Sequence, residues 1–351
     1  MKTFTIACLL ALTATACSKM ITQPPPATPE GTTTTKTVTA STATAASSSF
    51  AYGSDVSWYT QMQASGISWK NNSGVTQNLF TILAGKGINA IRLRVWVNPS
   101  GGWCGTSDVV TKALAAKAAG MSILIDFHYS DTWADPGHQT VPAAWASQSF
   151  TQLMTTVYNY TESVLNTLKS NGVTPTWVQV GNETNNGMLW PNGEASVNMK
   201  NYAWLVNCGY NATKAVFPSC KVIVHLANGY DTSDFEWLFD GLKANGASWD
   251  VIGMSLYPTA GNYATLDAEC LSNMQTMISR YGKQVIISEV GFPVNDPTNA
   301  EAFLQDIIAK TKTAGGLGVF YWEPESYNSW QGYTNGAFGS NGEPTAAMNA
   351  F

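Results

Sequence analysis

From residue 50 onward, short runs of β-branched and aromatic residues alternate with longer stretches whose apolar positions recur every three or four residues. The short runs predict strands at 50–55, 90–96, 121–128, 176–182, 221–226, 250–257, 284–289 and 317–322. The stretches between them predict helices, among them 109–119, 150–169, 202–215, 264–280 and 300–313. Glycine closes several of these helices just before a strand, as in Ala119-Gly120-Met121 and Ala314-Gly315-Gly316-Leu317. Eight strand–helix units in about 300 residues predict an α/β fold, a single (β/α)8 barrel with its site at the C-terminal strand ends. The last helix must be short, because few residues follow the loop at 326–343. A doubly wound open sheet is the alternative, but no Gly-rich phosphate turn follows the first strand.

Before residue 50 this alternation is absent. Lys2, an apolar run from Phe4 to Leu12 and small residues up to Ala16-Cys17 predict an export signal over 1–17. The run is too short to span a bilayer as a helix. Ala14-Thr15-Ala16-Cys17 resembles a bacterial lipobox, which implies lipidation of Cys17. Ala14 stands where such motifs usually have Leu, and ordinary cleavage near Ala16 is the alternative. Residues 18–48 carry Pro24-Pro25-Pro26, Thr32 to Thr35 and a Thr/Ala/Ser tail. With so little apolar bulk they cannot offset their ordering entropy, so a disordered tether of at most about 100 Å is expected. The domain organisation is therefore a leader, a tether and one catalytic domain at 49–351. The expected location is the outward face of a bacterial envelope, the lipid on Cys17 being the only membrane attachment.

Composition narrows the partner. Charged residues make up 12% of the 351, against a usual figure of about 25%. Eighteen Lys and Arg against 23 Asp and Glu leave a net charge of −5 with no basic stripe. Nucleic acid is therefore not an expected partner. Thirteen Trp, 14 Tyr and 13 Phe supply flat apolar faces that suit an uncharged, hydroxyl-rich ligand such as a sugar chain. Roughly half of the Trp should serve the core alone. In an exported chain Cys104, Cys208, Cys220 and Cys270 allow three disulfide pairings, Cys208 to Cys220 being the most local; four reduced, buried thiols are the alternative.

The strand ends carry the candidate chemistry: Asp55, Arg94, Asp126 with His128, Asn182 with Glu183, His225, Tyr257, Glu289 and Trp322. Glu183 and Glu289 each close a run of β-formers. A carboxylate at the mouth of a buried strand is costly unless paired or in use. Two of them are the minimum equipment for cutting a glycosidic bond. A structural ion-pair network is the alternative. Three histidines without a paired ligand spacing give no metal site, and no cofactor is expected.

Longer stretches resemble a known family: Gly53-Ser-Asp-Val-Ser57, Ile91-Arg-Leu-Arg-Val-Trp-Val-Asn-Pro99, Asp126-Phe-His-Tyr-Ser-Asp-Thr-Trp-Ala-Asp-Pro136, Val180-Gly-Asn-Glu183 and Tyr321-Trp-Glu-Pro324. Together they are similar to family 53 of the clan A glycoside hydrolases, the endo-β-1,4-galactanases. The resemblance implies Glu183 as general acid/base and Glu289 as nucleophile of a retaining double displacement. It implies that Asn182 bonds the 2-hydroxyl of the reacting sugar, that Tyr257 holds the nucleophile and that Trp322 forms the stacking floor. Arg92 and Arg94 face one side of their strand. Arg94, nearer the end, is expected on the nucleophile and Arg92 in interior pairing. His128 is expected on sugar hydroxyls, with Asp126 orienting it or Arg94. Trp133 and Trp190, in loops after the third and fourth strands, are expected as further stacking platforms or as caps on the core.

Two stretches depart from the family. Pro293-Val-Asn-Asp-Pro-Thr-Asn299 is too short and too poor in carboxylates for the calcium loop of some bacterial members. Leu226-Ala-Asn-Gly-Tyr230 lacks the Asp pair of fungal relatives, which changes subsite contacts rather than the reaction. The expected partner is β-1,4-galactan and the expected state a monomer. The competing readings are a barrel hydrolase of mannan, xylan or glucan, and a non-catalytic surface protein that binds glycans.

Overall fold

The computed structural model describes residues 50–351. The expected signal segment, Cys17 and the tether lie outside the described residues. Eight parallel strands close into a barrel: β1 (Ala51–Asp55), β2 (Ala90–Val95), β3 (Ser122–Phe127), β4 (Trp177–Val180), β5 (Lys221–Leu226), β6 (Val251–Leu256), β7 (Gln284–Val290) and β8 (Gly318–Trp322). β8 returns to β1, with Ala51 beside Gly318 and Asp55 beside Trp322. These are the eight expected strands, with ends shifted by a residue or two. Only a 3-10 turn, Ala346–Ala350, follows the last strand loop. A small antiparallel pair, Trp69–Lys70 with Thr76–Gln77, was not foreseen.

The helices form where an apolar stripe meets good caps. In Phe150–Ser170, Ser149 and Gln152 form a reciprocal capping box, and Leu153, Val157, Val164, Leu165 and Leu168 are buried at helical spacing. Inside the barrel, each strand gives one apolar side chain to a closed plug: Ala51, Ala90, Leu124, Trp177, Ile223, Val251, Ile286 and Phe320. Small residues on β1 and β2 make room for the large rings of Trp177 and Phe320, which meet edge to face at 6.1 Å. Gly53 is part of that fit, since a Cβ there would lie 2.2 Å from the Phe320 ring.

Two residues further along each strand, the same face presents the next layer: Gly53, Arg92, Asp126, Gln179, His225, Gly253, Ser288 and Trp322. Below is hydrocarbon; here is a ring of polar groups with two glycines that leave space. This change of layer sets the floor of the site. None of the disulfides left open by the sequence forms between Cys104, Cys208, Cys220 and Cys270.

Candidate active site

Arg92 organises the polar layer. Its guanidinium lies 2.8 Å from carboxylate oxygens of Asp55, Asp126 and Glu289, and 2.8 Å from the Asn182 side-chain oxygen. Burial works against the Arg92 charge, but the carboxylates of Asp126, Glu289 and Asp55 outweigh it and keep Arg92 cationic. The expectation that Arg94 supports Glu289 is therefore corrected. Both arginines point into the barrel, but the one lower in the strand has the reach to meet Glu289. Arg94 extends beyond it and pairs with Glu323.

Irregular backbone brings both glutamates into the cleft. In β7, Ile286 and Ser288 face inward, so strict alternation would turn Glu289 outward. The strand bulges instead: Met254 of β6 sits beside Ile287, and the next residue, Ser255, beside Glu289. The extra residue restores Glu289 to the inside. After β4, Gly181 takes φ +83 and Glu183 φ +45, so Asn182 and Glu183 both reach the cleft. Only glycine fits at 181, where a Cβ would lie 2.5 Å from Thr184. A left-handed glutamate is strained, and such strain concentrates at working sites.

The two carboxyls occupy different environments. Burial pushes Glu289 above the usual carboxylate value, while Arg92 and the Tyr257 hydroxyl, donating at 2.8 Å, pull it back. Glu183 has no cation in contact. Burial first, and then the charge of Glu289, push it up to about 8, opposed by a hydrogen bond with Ser255. Ser255 Oγ lies 2.7 Å from His225 Nε2. Burial, with Arg92 and His128 nearby, holds His225 well below its ordinary value and keeps it neutral. At neutral pH the site thus offers one carboxylic acid and one stabilised carboxylate, the pairing that acid-assisted displacement needs.

The other expected residues divide. Asn182, Tyr257 and Trp322 line the cleft beside both glutamates, and Trp133 spans its rim. Asn182 also donates to the Ala134 carbonyl (2.8 Å), which locks its orientation. His128 lines the cleft with its ring, but its nitrogens are taken. Nδ1 accepts from Trp96 Nε1 and Ala134 N–H, both at 3.2 Å, and Nε2 donates to Asp126 at 3.0 Å. The expectation that it bonds sugar hydroxyls is corrected: it fixes the loop that carries Trp133. Asp126 is fully buried and holds Arg92, Gln179 and His128, so it is an organiser beneath the site rather than a substrate ligand. Trp190 is absent from the cleft walls; its indole donates to the Asn186 carbonyl (2.8 Å) and braces its own loop.

Three connected cavities form the cleft. The central one, about 260 Å³, holds Glu183, Glu289, Asn182, Tyr257 and Trp322. A larger arm of about 500 Å³ shares Trp133, Trp322 and Tyr333 with it and adds Trp58, Trp96 and Trp103. On the Glu183 side, a third cavity of about 400 Å³ is walled by Asn228, Tyr230, Ser255, Tyr257 and Asn262. Tyr333 was missed: it lies in the long loop after β8, donates to the Trp322 carbonyl (3.0 Å) and packs against that ring at 4.6 Å. No spacing signal marks it, because its neighbours come from folding. Trp58 and Gln179 were missed too, although Gln179 follows the inward parity of β4. Among the described residues, no three His, Cys, Asp or Glu side chains are grouped to hold a metal ion.

The model of glycosyl hydrolase family 53 matches residues 51–302. A probable arabinogalactan endo-beta-1,4-galactanase A of Aspergillus fumigatus is 39% identical over 317 residues, covering 82% of this chain and 86% of the relative. An arabinogalactan endo-beta-1,4-galactanase of Thermothelomyces thermophilus is 34% identical over 327 residues, covering 85% and 98%. Among solved structures, a fungal beta-1,4-galactanase has a TM-score of 0.80 at 32% identity, covering 86% of this chain and 98% of its own. The GH53 catalytic domain of Ignisphaera aggregans reaches 0.78 at 30% identity, covering 86% and 95%.

Proposed function

The chain belongs to glycosyl hydrolase family 53 and hydrolyses internal β-1,4-galactosidic bonds of galactan and arabinogalactan, and we propose that it does so through Glu183 and Glu289. Glu289 attacks the anomeric carbon while Glu183 gives its proton to the departing oxygen, leaving a galactosyl ester on Glu289. The Glu183 carboxylate then takes a proton from water, whose oxygen attacks the same carbon and releases Glu289. Two inversions give net retention. The supporting observation is the asymmetry of the pair: Arg92 and Tyr257 hold Glu289, and burial beside that anion protonates Glu183.

The same asymmetry orients the polymer. The acid must stand at the leaving oxygen, so the cavity beside Glu183 takes the departing chain. The aromatic arm beyond Trp322 takes the glycone side, where stacking on Trp58, Trp96, Trp103 and Trp133 holds successive rings. Both glutamates and the residues lining the cleft come from one chain, so the reaction as proposed needs no second copy.

Purified protein should release reducing ends from linear β-1,4-galactan, with viscosity falling early as internal bonds break. Mannan, xylan and cellulose should stay nearly untouched. A comparable rate on any of them would sink the substrate assignment, and no release from any polymer would favour a binding protein.

Export and anchoring rest on the leader sequence. Among the described residues no helix is long and apolar enough to cross a membrane. If Cys17 carries the lipid, Cys17→Ala should move the enzyme from detergent-extracted membranes to the soluble exported fraction. Unchanged fractionation would reject the anchor. A single acyl chain binds membranes only marginally, so stable attachment needs a multiply acylated cysteine.

A further inference from the structure

Behind the aromatic arm lie two more carboxyls that the reaction above does not use. Glu323 and Glu325 follow β8, and both are fully buried. Glu323 accepts from Arg94 Nη1 and from the Trp58 backbone N–H (3.1 Å). Apart from its own backbone N–H, the Glu325 carboxyl meets no nitrogen or hydroxyl donor; its hydrogen-bond partner is the Glu323 carboxyl. Two carboxyls can share a hydrogen bond only if one keeps its proton. Glu323 already serves a cation and an amide, so it is the anion and Glu325 the acid that donates.

Arg94 connects this pair to the cleft. Its Nε and Nη2 have no hydrogen-bond partner, so Glu323 alone ties the guanidinium by hydrogen bonding. The guanidinium carbon stands 4.4 Å from the ring centre of Trp133 and 5.2 Å from those of Trp58 and Trp96. A guanidinium that drifts loses these contacts together.

Building on the galactanase reading, we propose that Glu325 is a positioning residue: as a neutral acid donating to Glu323, it holds Arg94 against Trp58, Trp96 and Trp133. The arm's stacking wall is set from behind. The titratable groups facing Glu325 are Glu323 on its own segment, Asp55 from β1 and Tyr333 from the next loop, with Arg94 of β2 reaching it through Glu323. Burial, then the Glu323 charge, holds the Glu325 carboxyl well above the usual range. Once ionised, Glu325 repels Glu323 and loosens Arg94, so glycan binding on the arm should weaken at alkaline pH.

The test is calorimetric binding of linear β-1,4-galactotetraose to full-length enzyme carrying Glu183→Gln, which slows cleavage and removes the titration of Glu183. From neutral pH to the most alkaline pH at which this variant stays folded, affinity should fall about tenfold. Adding Glu325→Gln should abolish that fall, because the amide donates the same hydrogen bond and cannot ionise. Adding Glu325→Ala should cost about tenfold at both pH values. Equal alkaline loss with and without Glu325→Gln, or Glu325→Gln as weak as Glu325→Ala at neutral pH, would overturn the proposal. If Glu325→Ala does not fold, the glutamine comparison decides alone. Failure of every variant to bind at any pH would instead bring down the galactan reading, and this proposal with it.

Discussion

Glu183→Ala should lose polymer hydrolysis by about 10²–10⁴-fold, the usual worth of general acid–base help, yet still react with an aryl β-galactoside oligomer whose phenol leaves unaided. Glu289 then becomes glycosylated but water lacks its base, so added azide should speed turnover and give a β-configured galactosyl azide. Glu289→Ala removes the covalent route, and any azide product should have the α configuration, from direct attack on the opposite face. Identical stereochemistry from the two variants would mean that the roles are misassigned. Inverted product from the wild type would rule out the double displacement. The pH profile gives an independent check. Activity needs Glu289 ionised and Glu183 protonated, so it rises as Glu289 loses its proton and falls as pH passes the Glu183 value of about 8. With the aryl substrate, Glu183→Ala should lose that alkaline limb.

Arg92→Met should be the most damaging substitution outside the two glutamates. It leaves Asp55, Asp126 and Glu289 buried without their shared cation. Breaking a buried ion pair from one side typically costs ~3–5 kcal/mol, visible as a lower denaturant midpoint. The sign with pH follows from the carboxylates. Without Arg92 the folded pKa of Glu289 rises further, so the folded state holds a proton that the unfolded chain releases. The variant's deficit should therefore shrink on acidification and widen toward neutral pH. The acid limb of kcat should also move upward, because Glu289 loses the charge that favours its ionised form. Arg94→Met should leave that limb in place while weakening galactan binding. A shifted acid limb in Arg94→Met but not in Arg92→Met would restore the expectation that the structure corrected.

The reach of the sequence differs between layers of the molecule. Alternating apolar periods set the number and order of the barrel strands, since burying one face of each element is a local demand that every segment states for itself. The two glutamates were legible for the same reason, a lone carboxyl closing a buried run being rare without a use. Parity along β2 placed both arginines inside but could not say which one meets Glu289. That depends on how far the neighbouring strands are staggered around a closed barrel, a property of eight strands at once. The bulge that turns Glu289 inward, and the left-handed turns that bring Asn182 and Glu183 to one cleft, break the period on which sequence reading relies. His128 was taken for a substrate ligand because its type fits, whereas its contacts with Trp96, Ala134 and Asp126 exist only after folding. Tyr333 and the Glu323–Glu325 pair left no periodic trace, because loop residues gain their partners from distant strands. Local burial patterns therefore determined the scaffold and its two carboxyls; which group touches which was decided by long-range packing, where contact energies depend on neighbours that lie far apart in the chain.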